Sequence, residues 1–180
     1  MSGREVWTIG HSNRGLDDFL TVLRSHGIGL LADVRRFPGS RRLPHFGAGA
    51  LEAPLGAAGI GYRHFPGLGG RRRHRLENSP NNGWRVESFR AYADYMQSQE
   101  FAESLAELES QAATRRTAIM CSEAVPWRCH RRLVADALLV RGWSPLDIFG
   151  EGRAEPHRLT DFARVSGVTL TYPGSPSADG

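Results

Sequence analysis

The chain has 180 residues, of which 40% are hydrophobic and 23% are charged, and its net charge is +4. This length fits one domain with a substantial core, and no apolar run is long enough to cross a membrane. Residues 1–6 lack the apolar stretch of a secretory leader, and two cysteines do not make a disulfide framework. We therefore expect a protein of the reducing cytoplasm.

All 23 residues counted as lysine or arginine are arginine. The absence of lysine excludes mechanisms that use a lysine Schiff base or a lysine general base. Guanidinium groups form forked contacts with phosphate and carboxylate groups, so the composition suits an anionic partner. A GC-rich genome would also replace lysine by arginine, but it would not cluster the arginines.

Strands and helices are predicted to alternate along the first half of the chain. Short apolar runs indicate buried strands, and apolar residues at i, i+3, i+4 and i+7 indicate a helix. The predicted elements are a strand at 6–10, a helix from Leu16 to Gly27, a strand at 30–35, a weak helix at 48–58 with Pro54 inside it, and a strand at 60–65.

The second half begins with residues 66–84, which lack apolar periodicity and predict a long loop that is either functional or disordered. The elements predicted after it are two helices with apolar faces from Phe89 to Met96 and from Phe101 to Ala112, a strand at 117–121, a helix at 126–141, a strand at 145–149, a short helix at 157–165 and an edge strand at 168–172. We expect one domain over residues 1–172 and a disordered tail over residues 173–180.

This alternation predicts an α/β fold, a single three-layer domain with a mostly parallel, Rossmann-like sheet and helices on both faces. Right-handed crossovers place the carboxyl ends of parallel strands at one edge, where such sheets bind ligands. The residues expected to meet at that edge are His11 and Ser12, Asp33 and Arg35, Cys121 and Glu123, and residues 150–152.

Cys121 ends a predicted strand and precedes a helix that begins among arginines. Helix amides and guanidinium groups favour a thiolate, which suits a nucleophile, although an inert buried thiol is the alternative. Glu123 could act as a general acid or base, or it could cap the helix. The loop of cysteine-dependent phosphatases needs arginine six positions after the cysteine, and Trp127 stands there, so we exclude that class.

The periodicity of the predicted helix indicates which way the side chains in its first turns point. Cys129 and His130 extend the apolar stripe of the helix and are expected to face the strand ends. Arg132 is expected to form an exposed i, i+4 ion pair with Asp136. Arg131 is left at the flank of the site. A buried structural role is the alternative for Cys129 and His130.

A metal site is a further alternative, because Cys121, Cys129, His130 and His11 could converge. Structural zinc sites show closer Cys-x-x-Cys pairs than this spacing provides, so we assign no metal ligand and leave the cofactor open.

Two basic, glycine-containing loops flank the predicted site, at residues 35–42 and 67–75. Glycine loops beside arginines are suited to phosphate binding, and solvated loops are the alternative. Asp33 could orient an imidazole, bind a ribose hydroxyl or pair with Arg35. The residues predicted to bind ligand are Ser12, Arg35, Ser40, Arg41, Gly69, Gly70, Cys129, His130 and Arg131. Aromatic residues such as Phe37 in these segments could stack on bases or simply pack.

The leading hypothesis is an enzyme or enzyme-like domain that binds a phosphorylated or nucleic-acid-type ligand at the strand ends. Its reactive residues are expected to be His11, Asp33, Cys121 and Glu123. One alternative is a non-catalytic nucleic-acid-binding module that uses the two basic loops. The other is thiol or metal chemistry at the two cysteines.

Four motifs fall on these same strand ends. They are Thr8-Ile-Gly-His11-Ser12, Asp33-Val-Arg35-x-x-Pro38-x-Ser40, Tyr62 with Leu68-Gly-Gly70, and Cys121-x-Glu123-x-x-Pro126-x-x-Cys129-His130-Arg131. Together they resemble the domain of unknown function 488 family over residues 6–157. The resemblance implies a single compact α/β domain and no particular activity. Pro54 departs from the family pattern, which usually has no proline in that helix.

Overall fold

The computed structural model describes residues 3–39, 41–73 and 75–175 of the chain. The helices are α1 (Leu16–Ser25), α2 (Ala48–Ala57), α3 (Glu87–Tyr95), α4 (Gln99–Ala112) and α5 (Arg131–Val140). The strands are β1 (Glu5–Gly10), β2 (Leu30–Asp33), β3 (Gly61–His64), β4 (Thr117–Cys121), β5 (Ser144–Gly150), β6 (Arg153–Pro156), β7 (Arg164–Ser166) and β8 (Thr169–Thr171).

Six strands form one sheet in the order β3-β2-β4-β1-β5-β6. Strands β1 to β5 are parallel to their neighbours, and β6 is an antiparallel edge strand. Strands β7 and β8 pair separately. An apolar layer lies on each face of the sheet, with α1 and α2 on one face and α3, α4 and α5 on the other. The predicted α/β fold with a mostly parallel sheet is confirmed.

Alternation along the central strands decides which side chains meet each layer of helices. In β4, Ala118 and Met120 pack in the layer of α1 and α2, whereas Ile119 and Cys121 pack in the layer of α3, α4 and α5. This is the two-residue period of a strand buried on both faces. Cys121 is thereby directed toward the side of the sheet that α5 covers.

The helix predicted from Pro126 begins five residues later than predicted. Pro126 to Arg128 form a separate 3₁₀ turn, and Cys129 is extended with φ −132° and ψ 147°. Proline suits the first turn of either kind of helix, so the sequence pattern does not distinguish them. Helix α5 starts only at Arg131.

The predicted helix at 157–165 is wrong, because this segment is held by side-chain contacts with α5. His157 and Thr160 both bond the buried carboxylate of Asp136. The predicted exposed ion pair between Arg132 and Asp136 is wrong for the same reason. Arg132 lies instead 5.3 Å from the ring of Trp84.

Residues 150–152 do not join the predicted site. The backbone of Gly152 donates to Ser25, and the carbonyl of Gly150 contacts His26 at the end of α1. A register shift between β5 and β6 lies near the end of β5, where the chain takes this path.

No helix among the described residues is long and apolar enough to cross a membrane.

The long segment at 66–84 is irregular, as predicted, and is anchored at its centre. Asp94 accepts from the backbone of Leu76 and from the side chains of Ser79 and Asn81. The hydrogen bonds to Ser79 and Asn81 lower the pKa of Asp94 against the opposing effect of burial.

Of the predicted tail at residues 173–180, residues 176–180 lie outside the described residues. Within the described part of the tail, the backbone N–H of Gly174 donates to the side chain of Asn82.

Candidate ligand-binding site

The carboxyl ends of β1, β2 and β4 lie side by side, and hydrogen bonds hold the chain beyond them. His11 and Ser12 donate their backbone N–H groups to the carbonyls of Cys121 and Ser122, each at 2.9 Å. Gly10 lies so close to the loop after β4 that a Cβ atom would overlap the carbonyl oxygen of Glu123. Glycine is therefore required where β1 meets this loop.

A cavity of about 410 Å³ opens at this edge. It is bounded by the ends of β1 and β4, the loops after β2 and β3, the start of α3 and the residues before α5. Its lining residues are His11, Arg35, Arg36, Phe37, Gly39, Gly70, Arg71, Ser88, Phe89, Tyr92, Cys121, Ser122, Glu123, Arg128, Cys129 and His130.

His11 presents one ring nitrogen toward the cavity side of β1. The ring is buried, stacks on Phe46 with centroids 4.3 Å apart, and its Nδ1 lies 2.8 Å from the carbonyl oxygen of Ser12. Nδ1 must donate in this contact, so Nε2 is left as an acceptor, 3.5 Å from the guanidinium of Arg35. Burial lowers the pKa of His11, with the charge of Arg35 acting in the same direction, so the imidazole is neutral at neutral pH.

Asp33 positions Arg35 and does not line the cavity. Its carboxylate accepts from the guanidinium of Arg35 at 2.9 and 2.7 Å and from the hydroxyl of Tyr62 at 2.5 Å. Asp33 is completely buried. The ion pair with Arg35 was one of the alternatives for Asp33, and it occupies the oxygens that the leading hypothesis directed toward a ligand.

Arg131 is completely buried rather than at the flank of the site. Its guanidinium donates to the carbonyl oxygens of Glu123 and Ala124, to the sulfur of Cys121 at 2.8 Å and to the hydroxyl of Thr8 at 3.4 Å. The late start of α5 explains the difference, because Arg131 then stands in the first helical turn and faces the end of β4. These contacts leave Arg131 outside the cavity lining, as a residue that holds the loop after β4.

The sulfur atoms of Cys121 and Cys129 are joined across the wall of the cavity. The sequence left thiol or metal chemistry at these two cysteines as an alternative, and it did not predict a bond between them. Cys129 lies beside His130, with Sγ and Nδ1 3.6 Å apart. Among residues 3–39, 41–73 and 75–175, no group of three histidine, cysteine or acidic side chains is arranged to hold a metal ion.

His130 is held in one orientation by the loop after β2. Its Nε2 donates to the carbonyl oxygen of Val34 at 2.8 Å, so Nδ1 is an acceptor that points toward Cys129. Burial lowers the pKa of His130 to about 4. The ring packs against Tyr92, and a Cβ atom at Gly70 would come within 2.9 Å of Nδ1.

Three arginines surround the opening of the cavity: Arg36, Arg71 and Arg128. We call them the rim arginines. Arg36 donates to the carbonyl oxygen of Arg71 at 2.8 Å and so ties the two basic loops together. None of the three takes part in an ion pair within the described part of the chain. Arg71 has a φ of 56°, a left-handed conformation that is uncommon outside glycine.

The predicted residues that line the cavity are His11, Arg35, Gly70, Cys121, Glu123, Cys129 and His130. The predicted residues that do not line it are Ser12, Asp33, Arg41, Gly69 and Arg131. Ser40 lies outside the described residues. Gly69 instead packs against the backbone of Arg36, and Arg41 is exposed.

Nine lining residues were not among the predicted site residues: Arg36, Phe37, Gly39, Arg71, Ser88, Phe89, Tyr92, Ser122 and Arg128. Arg36, Phe37, Gly39 and Arg71 lie in the two basic loops that were predicted to flank the site. Phe89 and Tyr92 were predicted on the apolar face of a helix, and they do pack in the core while their edges reach the cavity. Arg128 stands directly before Cys129, and it could have been found if the 3₁₀ turn had been recognised. Nothing in the pattern around Ser88 indicates that the start of α3 reaches the strand ends.

A family model, described as domain of unknown function DUF488, matches residues 15–138. No curated protein matches the chain. No solved structure matches it either. The family match covers more than half of the chain, including β2, β4 and most of the cavity wall. The chain therefore belongs to the DUF488 family, a domain of unknown function.

Proposed function

We propose that the chain binds a phosphate-bearing ligand in the cavity at the carboxyl ends of β1, β2 and β4. One observation carries the proposal: the rim arginines face a common opening, and none of them has a carboxylate partner within the described part of the chain. Guanidinium groups in this condition favour phosphate, whose oxygens accept several of their N–H groups at once.

The reactive end of the ligand would lie against His11, Cys121 and Glu123. His11 is neutral, and its Nε2 can accept a proton from a bound group. In its reduced form, Cys121 would supply a sulfur nucleophile beside the guanidinium of Arg131. Glu123 is the one carboxylate among the described lining residues and would serve as an acid or base. Asp33 contributes by positioning Arg35.

The test is calorimetric titration with inorganic phosphate, a nucleoside monophosphate and a short single-stranded oligonucleotide, each at several salt concentrations. We expect binding that weakens as salt increases, because the contacts are ionic. Arg71→Gln and Arg128→Gln should each weaken binding about tenfold, since each removes charged hydrogen bonds.

Arg24→Gln is the matched control, because Arg24 is an exposed arginine at the end of α1 and does not line the cavity. This variant should bind like the unaltered protein. If none of the three probes binds in a salt-dependent way, the proposal is wrong.

A nucleic acid is the second candidate ligand, and Phe37 favours it. Phe37 lines the cavity yet is 64% exposed, and it lies 5.4 Å from the guanidinium of Arg36. An exposed aromatic ring beside an arginine can stack on a base while the arginine meets the phosphate.

The two candidates respond differently to substitution. For a nucleic-acid module, Phe37→Ala should weaken the oligonucleotide much more than inorganic phosphate, while His11→Asn and Cys121→Ser should leave oligonucleotide binding unchanged. Equal loss for both probes, or loss of oligonucleotide binding in His11→Asn, would exclude the nucleic-acid module.

A further inference from the structure

We propose that Cys121 and Cys129 form a redox-active pair that converts reversibly between a disulfide and a dithiol in the cavity wall. Both residues line the cavity, so a small thiol can reach the pair from solvent. Each sulfur also lies beside groups suited to the reduced form. This reaction needs no phosphate-bearing ligand, so it can be tested apart from ligand binding. The nucleophile of the function proposed above would be Cys121 in the reduced form of this pair.

The environment of Cys121 favours a thiolate. Its sulfur lies 2.8 Å from Nη1 of Arg131, which is completely buried and belongs to none of the ion pairs of the described residues. Burial lowers the pKa of Arg131 to about 10, so this side chain is still positive at neutral pH. The charges of Asp147 and Glu123 also act on Arg131, but neither carboxylate forms an ion pair with it, so a thiolate at Cys121 would be the anion in direct contact with the buried guanidinium.

The environment of Cys129 favours a protonated thiol. Nδ1 of His130 is an acceptor 3.6 Å from its sulfur, because Nε2 of the same ring donates to Val34. The thiol of Cys129 can therefore keep its proton and donate a hydrogen bond to His130. After reduction, Cys121 would hold the negative charge and Cys129 the proton.

The backbone between the two cysteines is suited to a small movement. The intervening residues form only a 3₁₀ turn between non-helical segments. Opening and closing of the bond therefore requires a shift of this loop and not of β4 or α5.

A dithiol can reduce the bond between Cys121 and Cys129 in two steps. One thiolate of the dithiol attacks the sulfur of Cys129, the more exposed of the two, and the bond to Cys121 breaks. Cys121 leaves as a thiolate that Arg131 stabilises. The second thiolate of the dithiol then closes on the mixed disulfide, giving a cyclic disulfide and releasing Cys129, which takes a proton. Two electrons pass from the dithiol to the protein.

The first experiment equilibrates the whole chain in buffers with a graded ratio of reduced to oxidised dithiothreitol, followed by acid quenching, alkylation and mass spectrometry. We expect one smooth transition in which Cys121 and Cys129 of the same chain gain or lose the bond together. Cysteines that stay reduced at the most oxidising ratio, or bonds that form only between chains, would overturn the proposal.

The second experiment separates the roles of the two sulfurs through the ultraviolet absorbance of thiolate in single-cysteine variants. Cys129→Ser should show thiolate absorbance at neutral pH, and Cys121→Ser should lack it. Each variant is the matched control of the other, and the absorbance does not depend on access of a reagent to the buried sulfur. Absence of thiolate in Cys129→Ser would contradict the assignment of charge to Cys121.

Discussion

Arg131 holds the loop after β4 from a completely buried position. Replacing it by methionine keeps much of the side-chain volume but leaves two carbonyl oxygens and a sulfur without their donor. Since unpaired buried acceptors are costly, we predict that Arg131→Met lowers the free energy of unfolding by about 3 to 5 kcal/mol. Urea denaturation monitored by tryptophan fluorescence measures this.

Arg128→Gln is the control for that variant, because Arg128 is an exposed arginine three positions earlier. Its free energy of unfolding should change by less than about 0.5 kcal/mol. Equal losses in the two variants would show that the buried contacts of Arg131 do not stabilise the fold.

His157 should make stability depend on pH. Burial alone would lower its pKa, but hydrogen bonds to Asp136 and Asp147 outweigh that effect and raise the pKa to about 9 from 6.5. The protonated form is thus favoured in the folded state. We predict a contribution of up to about 3 kcal/mol that is fully present below pH 6.5 and is lost as the pH rises to about 9.

The measurement is the free energy of unfolding by urea at a series of pH values, compared with His157→Asn. The variant should be less stable at pH 6 and should show a flatter profile up to about pH 9. A wild-type protein whose stability does not decrease over this interval would contradict the assignment of charge to His157.

Among the elements, the contact between β1 and the loop after β4 tolerates no side chain at Gly10. A Cβ atom there would overlap the carbonyl of Glu123 and approach the guanidinium of Arg131. We predict that Gly10→Ala destabilises the protein by more than about 2 kcal/mol, because backbone atoms must move apart. Thermal and urea denaturation would measure the loss.

Gly56→Ala is the matched control, since Gly56 lies inside α2 with nothing near its Cβ position. Alanine favours a helix over glycine, so this variant should gain about 0.5 to 1 kcal/mol. A similar destabilisation of both variants would mean that the close approach at Gly10 is not the cause.

The secondary-structure elements also show where a local sequence pattern is sufficient to predict the bounds of a strand or helix. The residues of β4 form a buried apolar run, and its predicted bounds at 117 and 121 are those observed. The start of α5 was misplaced, because proline at 126 begins a 3₁₀ turn that local pattern cannot separate from a helix. His157 to Val165 was misassigned because its conformation depends on a carboxylate 21 residues earlier.

At the scale of the whole molecule, the parallel sheet and its layers were predictable from the alternation of apolar patterns. That alternation also placed His11, Cys121 and Glu123 at one edge. The direction of Arg131 was not predictable, since it depends on Thr8, which only the assembled sheet brings near. For Asp33, the pair with Arg35 was one of the predicted alternatives, whereas the contact with Tyr62 arises only in the assembled sheet. The pairing of Cys121 with Cys129 depends on the same assembly.

A row of contacts crosses the molecule from His157 to the cavity wall. His157 contacts Asp147 at 3.1 Å, the hydroxyl of Thr8 donates to Asp147 at 2.7 Å, and Arg131 donates to Thr8 at 3.4 Å. We predict that Thr8→Val and His157→Asn are not additive, with a coupling free energy above about 0.5 kcal/mol in a double-mutant cycle. Thr8→Val paired with Arg24→Gln should be additive.

The same row of contacts determines how Arg131 is oriented behind the cavity wall. The hydroxyl of Thr8 has one proton, and Asp147 accepts it, so a lone pair of Thr8 must face the guanidinium of Arg131. The residue that contacts the sulfur of Cys121 is therefore oriented from β5 and from the segment after β6, beyond the matched residues 15–138. A chain shortened before His157 would keep Thr8, Asp147 and every described lining residue of the cavity, but it would lose the contact of His157 with the carboxylate that orients Thr8 toward Arg131.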